Sequence, residues 1–231
     1  MIELQNIDFG YRKQSKLFDN LDLTIKPGSI YGLLGRNGAG KSTLLKTICG
    51  ALFPKNGTIT VFGQNPKDRS PELLEQLFII PEEFSLPDTT IKAYVKTTAV
   101  FYPLFDYQKF GQLLQEFELH ENLNINKISY GQKKKFLIAF GICTQAKLLV
   151  MDEPTNGLDI PSKSQFRKII AGSFTEEKII LISTHQVRDL ENLIDTVVIL
   201  EKGKILLNEP INQTETKVDL EDLFNKVVSQ P

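Results

Sequence analysis

The chain opens on short alternating runs. Ile2, Leu4 and Ile7 mark one strand, and Leu21, Leu23 and Ile25 alternate with polar residues in a second. Lys26-Pro27-Gly28 turns the chain into a third, Ile30-Tyr31-Gly32-Leu33-Leu34, an apolar run. Leu44-Leu45-Lys46-Thr47-Ile48 then reads as helix. Thr58-Ile59-Thr60-Val61-Phe62 is a further strand, entered through Asn56-Gly57 and left at Gly63. Pro71 to Leu77 is predicted helical, and Phe78-Ile79-Ile80 is a short strand stopped by Pro81.

The texture changes from about Leu86 to Ala146, where the pattern is helical throughout. Thr89 or Thr90 caps a helix that stops before Pro103, and Asp106 caps another with Phe110, Leu113, Leu114 and Phe117 on one face. A third begins near Ser129, in the N-cap position, and carries Phe136, Leu137, Phe140 and Gly141. Alternating strand and helix resume at Lys147. Leu148-Leu149-Val150-Met151 and Ile179-Ile180-Leu181-Ile182 are continuous apolar strands of the buried parallel kind. A helix from Pro161 to Ala171 separates them, with Pro at its opening. Gln186 to Leu193 is predicted helical. Thr196 to Leu200 and Lys204 to Leu207 are strands joined at Lys202-Gly203, and Leu220 to Val228 is a short amphipathic helix. No repeat or low-complexity segment interrupts the series.

Length and composition narrow the class without naming it. With 231 residues, 41% hydrophobic and 24% charged, the chain has ample core for one large globular domain. The helical stretch, about 84–146, is expected as an insertion within an α/β domain, since no Gly/Ser- or Pro-rich linker flanks it. A net charge of −1 and a pI near 6.2 supply no bulk attraction to nucleic acid. Cys49 and Cys143 lie in apolar stretches and are expected as buried thiols of a reducing compartment. Met1-Ile2-Glu3-Leu4 lacks the basic start and apolar core of a signal peptide, and no run approaches the length of a membrane span, so a cytoplasmic chain is expected.

The chemistry enters at Gly35-Arg36-Asn37-Gly38-Ala39-Gly40-Lys41-Ser42-Thr43, between an apolar strand and a helix. This is the G-x-x-x-x-G-K-[ST] spacing of a phosphate-binding P-loop. Its glycines let backbone N–H groups turn inward as a nest, and the helix start adds further donors and partial positive charge. Lys41 then reaches the terminal phosphates, and the Ser42 hydroxyl takes a place on Mg²⁺. The strand Leu148–Met151 ends in Asp152 and Glu153. In a P-loop enzyme the first carboxylate holds Mg²⁺ through water, and the second orients and polarises the attacking water. A strand end bearing two solvated acids is the bland alternative.

Ile128-Ser129-Tyr130-Gly131-Gln132-Lys133 lies just ahead of that acidic strand, with Pro154-Thr155-Asn156-Gly157-Leu158-Asp159 just after it and Ser183-Thr184-His185 closing the next strand. In this order, the motifs strongly resemble those of the nucleotide-binding subunits of ATP-binding cassette (ABC) proteins, from Tyr11 to His185, with Leu-Ser-Gly-Gly-Gln as the family signature. The resemblance implies an α/β P-loop NTPase core with a mainly parallel sheet, an N-terminal antiparallel β subdomain, an inserted α-helical subdomain and a short tail over 204–231. It implies ATP and Mg²⁺ as cofactors, and two cassettes, identical or different, that pair head to tail around two ATP molecules. Tyr11 then stacks on adenine. Gly35, Asn37, Gly38, Ala39, Gly40, Lys41, Ser42 and Thr43 hold phosphate, and Ser129, Gly131 and Gln132 contact the γ-phosphate across the dimer. Glu153 is the catalytic carboxylate and His185 the switch histidine.

Three positions depart from the family pattern. Ile128 replaces Leu, and Tyr130 replaces the first signature Gly, placing a bulkier ring at the dimer seam. Where the family usually has Gln after a strand and Pro, this chain reads Ile79-Ile80-Pro81-Glu82. A carboxylate approaches Mg²⁺ equally through oxygen, so Glu82 is the candidate ligand beside Ser42 and Asp152, ahead of Glu83. Lys133-Lys134-Lys135 reads as a solvated face, with Lys133 alone near the phosphates.

The implied function is ATP hydrolysis that drives transport, exporter-type by the Phe101–Asp106 stretch and the helical insertion, through a separate integral-membrane permease. The expected location is the cytoplasmic face of the cell membrane. The alternative is a soluble single-cassette ATPase serving a cytosolic assembly, and a third reading is a nucleotide sensor that does not hydrolyse.

Overall fold

The computed structural model describes residues 1–12, 15–211 and 219–229, so residues 212–218, 230 and 231 of the expected tail lie outside the described residues. In chain order the strands are β1 (Ile2–Phe9), β2 (Phe18–Ile25), β3 (Ser29–Leu34), β4 (Asn56–Val61), β5 (Leu77–Ile80), β6 (Leu148–Asp152), β7 (Ile179–Thr184), β8 (Thr196–Glu201) and β9 (Lys204–Pro210). The helices are α1 (Lys41–Ile48), α2 (Pro71–Leu74), α3 (Ile91–Thr98), α4 (Tyr107–Glu116), α5 (Tyr130–Cys143), α6 (Ile160–Ser173) and α7 (Leu220–Val228). A small antiparallel sheet runs β2-β1-β4, and a larger one runs β5-β6-β7-β3-β8-β9. In the larger sheet only β9, on the edge, is antiparallel to its neighbour.

The continuous apolar runs are explained by cover on both faces of this sheet. Leu34, Ile80, Leu149, Met151, Ile180, Ile182 and Ile199 face one core with Phe136, Phe140 and Phe166 of the helices. The alternating set Leu33, Leu148, Val150, Ile179, Leu181, Val198 and Leu200 faces a second, with Leu44, Leu45 and Ile48 of α1 and the inner face of the small sheet. The stretch between β5 and β6 packs around α5: Tyr94, Tyr102, Phe105 and Phe110 all set their rings 5.0–6.3 Å from Phe140. Burial pushes both thiols up, Cys143 to about 12.

Several sequence expectations need correction. The helix expected from Gln186 to Leu193 is a single 3₁₀ turn, Val187–Leu190. Its apolar residues Val187, Leu190 and Leu193 recur every three positions, which is the 3₁₀ period, and Asn192 leaves helical space at φ 61°. The helix expected over Pro71–Leu77 stops at Leu74, because Leu77 pairs with Leu148 as the first residue of β5. Asn56 and Gly57 lie inside β4 rather than before it, and Phe62 falls outside it at φ 52°. Helix α6 begins at Ile160 with Asp159 as cap, so Pro161 is its second residue. The region from Leu86 to Ala146 is not helical throughout, since Leu119–Ser129 holds only one 3₁₀ turn and an isolated bridge joins Thr90 to Asn124. Of the two candidate caps, Thr90 accepts from the Ala93 N–H.

Candidate active site

Strand register assembles the site. Leu34 at the end of β3 pairs with Thr184 of β7, and Asp152 at the end of β6 pairs with Ser183. Ile80 of β5 pairs with Met151. The residues that follow, Gly35, His185, Glu153 and Pro81-Glu82, therefore emerge side by side beyond the carboxyl ends of adjacent parallel strands. Open α/β sheets bind their ligands there. The cleft so formed measures about 530 Å³ and is lined by Tyr11, Leu17, Asn37, Gly38, Gly40, Lys41, Ser42, Thr43, Glu82, Glu153 and His185.

The P-loop conformation depends on its glycines. Gly38 and Gly40 stand at φ 82° and 109°, and a Cβ on Gly35 would run into the Leu200 carbonyl. Gly40 is the N-cap of α1, so the helix's free N–H groups open onto the cleft. Lys41 is buried. Its Nζ donates to the Gly35 carbonyl at 2.8 Å and lies 3.6 Å from Glu153 Oε1. The Tyr11 and Thr43 hydroxyls share a hydrogen bond of 2.9 Å, which fixes the Tyr11 ring at the mouth of the cleft.

Glu153 is the centre of the arrangement. It is buried in the left-handed region, at φ 47°. His185 Nδ1 lies 2.8 Å from its Oε1, which assigns the ring proton to that nitrogen, and Thr184 Oγ1 donates to its Oε2 at 3.2 Å. Ser183 Oγ accepts from the Glu153 N–H at 3.2 Å and donates to Asp152 Oδ1 at 2.5 Å, locking the two acids in register. A carboxylate aimed into a cleft beside an imidazole and an ammonium can accept a proton from water there.

Glu82 lines the same cleft, and its Oε1 accepts from Asn156 Nδ2 at 3.0 Å, while Glu83 is exposed. Ser42, Asp152 and Glu82 are oxygen donors of the hard kind. The described residues contain no cluster of three His, Cys, Asp or Glu able to hold a metal ion. This donor set suits Mg²⁺ that takes most of its ligands from phosphate oxygens and water.

Other sequence candidates stand elsewhere. Ala39 is buried beneath the loop, and Ser129, Gly131 and Gln132 do not line the cleft. They form the N-terminus of α5, where Ser129 Oγ accepts from the Gln132 N–H and the Gln132 side chain accepts from the Ser129 N–H. Tyr130 turns back onto its own chain: its hydroxyl donates to the Glu82 carbonyl, and its ring stacks on Phe84 at 5.2 Å. The solvated lysine face holds only in part. Lys134 is fully buried, with Nζ donating to the Glu153 carbonyl at 2.7 Å and the Asn156 carbonyl at 3.0 Å. Lys133 is not among the residues lining the cleft. Sequence reasoning assigned no role to Lys134, Asn156 or Thr184. For Lys134 the signal was helical phase, since it stands four residues before Ile138, on the inner face.

Comparison with known proteins agrees with this geometry. The family model described as ABC transporter matches residues 18–156. The lantibiotic transport ATP-binding protein SrtF of Streptococcus pyogenes is 29% identical over 99% of this chain and 97% of its own length. The bacitracin transport ATP-binding protein BcrA of Bacillus licheniformis is 32% identical over 87% of this chain and 67% of its own. A solved ATP-binding subunit of an ABC transporter superposes with a TM-score of 0.86 at 26% identity, covering 99% of both chains. The chain belongs to the ABC transporter family, as an ATP-binding subunit that hydrolyses ATP.

Proposed function

We propose that this chain drives transport, in the outward direction, through a separate integral-membrane permease, and that it works at the cytoplasmic face of the membrane. The observation that carries the catalytic part is the convergence of Lys41, Glu153 and His185 on one cleft at the strand ends. Adenine stacks on Tyr11, and the triphosphate lies in the nest of Gly35–Thr43 N–H groups. Lys41 exchanges its loop carbonyls for the β- and γ-phosphates, which also relieves its contact with Glu153. Glu153 then takes a proton from the attacking water. His185, held to Glu153 through Nδ1, presents its other ring nitrogen towards the γ-phosphate. Mg²⁺, held by Ser42 and Asp152 with Glu82 nearby, supplies charge neutralisation of the phosphates.

Two cassettes, copies of this chain or this chain and a second one, close over ATP. Ser129, Gly131 and Gln132 support that reading: they form a capped helix N-terminus that is not part of the lining of their own cleft, as a site completed by a partner requires. The chain acts as one ATPase unit, with about 84–146 as the helical part that meets the permease. An apolar groove of about 790 Å³ between this part and the core supports it. Leu74, Phe78, Phe101 and Tyr102 line the groove, Val100 and Phe101 are exposed in it, and Leu104 is exposed beside it. Described helices offer none long and apolar enough to cross a membrane, so the membrane part must come from another segment or chain.

The test is gentle isolation of membranes from the native host with this chain tagged. Co-purification with one integral membrane protein, lost when Phe101 and Leu104 are both changed to Ser, is the expected result. Recovery only with a cytosolic assembly leaves the ATPase chemistry and overturns transport.

A further inference from the structure

Lys134 has no surface exposed to water, yet among the described residues its ammonium makes no salt bridge to balance its charge. Its ammonium donates instead to two backbone carbonyls, those of Glu153 and Asn156, and lies 5.2 Å from the centre of the Tyr130 ring. A buried ammonium costs far more than an aliphatic side chain of the same length, so simple filling of this slot favours Met or Leu.

What the ammonium holds is specific. Glu153 sits at φ 47°, a conformation that residues with a Cβ rarely adopt and that surrounding contacts must enforce. Its carbonyl accepts from the Asn156 N–H at 3.2 Å and from Lys134 at 2.7 Å, and the Asn156 carbonyl takes the same ammonium at 3.0 Å. One cation thus fastens both ends of the turn 153–156. Two side chains of that turn act on the cleft: the Glu153 carboxylate, which lines it, and the Asn156 amide, which donates to Oε1 of the lining residue Glu82.

We propose that Lys134 is a positioning residue for ATP hydrolysis. It locks the Glu153–Asn156 turn, and through it aims the Glu153 carboxylate at the attacking water and holds Glu82 in the cleft. It touches neither nucleotide nor water itself. The inference rests on the reading of Glu153 as the acceptor of the water proton.

The experiment compares full-length wild type, Lys134→Met and Lys134→Gln in ATP turnover and in binding of a fluorescent ATP analogue. Single-turnover rates follow for the same substitutions in a Glu153→Gln background. Misplacement of a catalytic group costs up to about 100-fold, so kcat should fall by about 10- to 100-fold in Lys134→Met, and less in Lys134→Gln, which keeps a donor. KM and analogue affinity should stay within about twofold, because Lys134 does not line the nucleotide cleft. In the Glu153→Gln background the added loss should shrink to about threefold or less, since groups acting as a unit are not additive.

Unchanged kcat, a parallel loss of nucleotide affinity, or an undiminished loss in the Glu153→Gln background overturns the proposal. If Lys134→Met does not fold, Lys134→Gln carries the same comparison. Wild type without turnover removes the reading of the site altogether, whereas an active wild type matched by Lys134→Met removes only the role given to Lys134.

Discussion

Glu153 is buried with its carboxylate 2.8 Å from an imidazole nitrogen and 3.6 Å from an ammonium, while a second ammonium, that of Lys134, grips its backbone. The acid side of this site was legible as residue order, because strand, Asp and Glu behind a P-loop admit few other uses. The cation beneath it was not. Three successive lysines point to different sides of a helix, and only the phase of α5 decides which one enters the core. Lys134 pays for that position: burial pushes its ammonium down to about 8 from an ordinary 10.5, although the charges of Glu82, Glu153 and Asp152 pull the other way. Between these values the unfolded chain binds more protons than the folded one, so stability rises with pH there. Below about 8 the charged form is bound in both states and the unfavourable contribution is fully present. We therefore expect urea unfolding, without nucleotide, to show the stability of wild type gaining on Lys134→Met from pH 8 to pH 10. A difference that is flat or falls over this range removes the buried-ammonium account.

At the scale of elements, α5 joins two functions whose signals differ in strength. Its start was readable, since Ser129 followed three residues later by Gln132 is a capping box, and the structure closes both hydrogen bonds of the box. Its far end carries Gly141, noted in the apolar series but without a reason from sequence. The reason is contact between elements. A Cβ there would stand 2.7 Å from a carbon of the Phe78 ring and 3.2 Å from Leu149, so helix and sheet meet backbone to side chain. Alanine normally improves a helix interior by about 1 kcal/mol over glycine, whereas forcing a methyl into a filled core costs about 1–3 kcal/mol. Phe78 packs against Tyr102 and Phe140 and can yield only by leaving those rings for the groove it lines, so the second effect wins. Gly141→Ala should lose about 1 kcal/mol in urea unfolding. A gain in stability would mean that the α5–β5 contact is looser than described. The same dependence on neighbours explains the misjudged boundaries. Leu77 fits either a helix end or a strand start by character, and pairing with Leu148 decides it.

Across the whole molecule, the layered plan was legible because buried parallel strands read as unbroken apolar runs, and the P-loop identifies the central one. The strand order was not legible, yet it does the assembling: β3 lies between β7 and β8, with β6 beyond β7, and this brings residues 35, 82, 153 and 185 to one edge from distant parts of the chain. The same plan leaves the N-terminus of α5 out of the lining of that cleft. A capped helix start that lies outside the cleft lining and bears Ser129 and Gly131 serves phosphate in the proposed pairing, where a second cassette brings its own nucleotide to the positive end of the helix. In the proposed pairing, closure buries ATP between two chains and hydrolysis reopens them. Replacing Glu153 by Gln removes the proton acceptor while keeping the shape of the side chain, so ATP should persist and hold the closed pair together. Light scattering with ATP and Mg²⁺ should find Glu153→Gln at about twice the 26.1 kDa of the single chain, and Lys41→Ala, deprived of its phosphate contact, at the single-chain mass. A Glu153→Gln protein that binds ATP but keeps the single-chain mass would separate nucleotide binding from pairing of this chain with itself. Repeating the measurement with the proposed permease and any second cassette present would then decide whether closure needs a different chain on the other side.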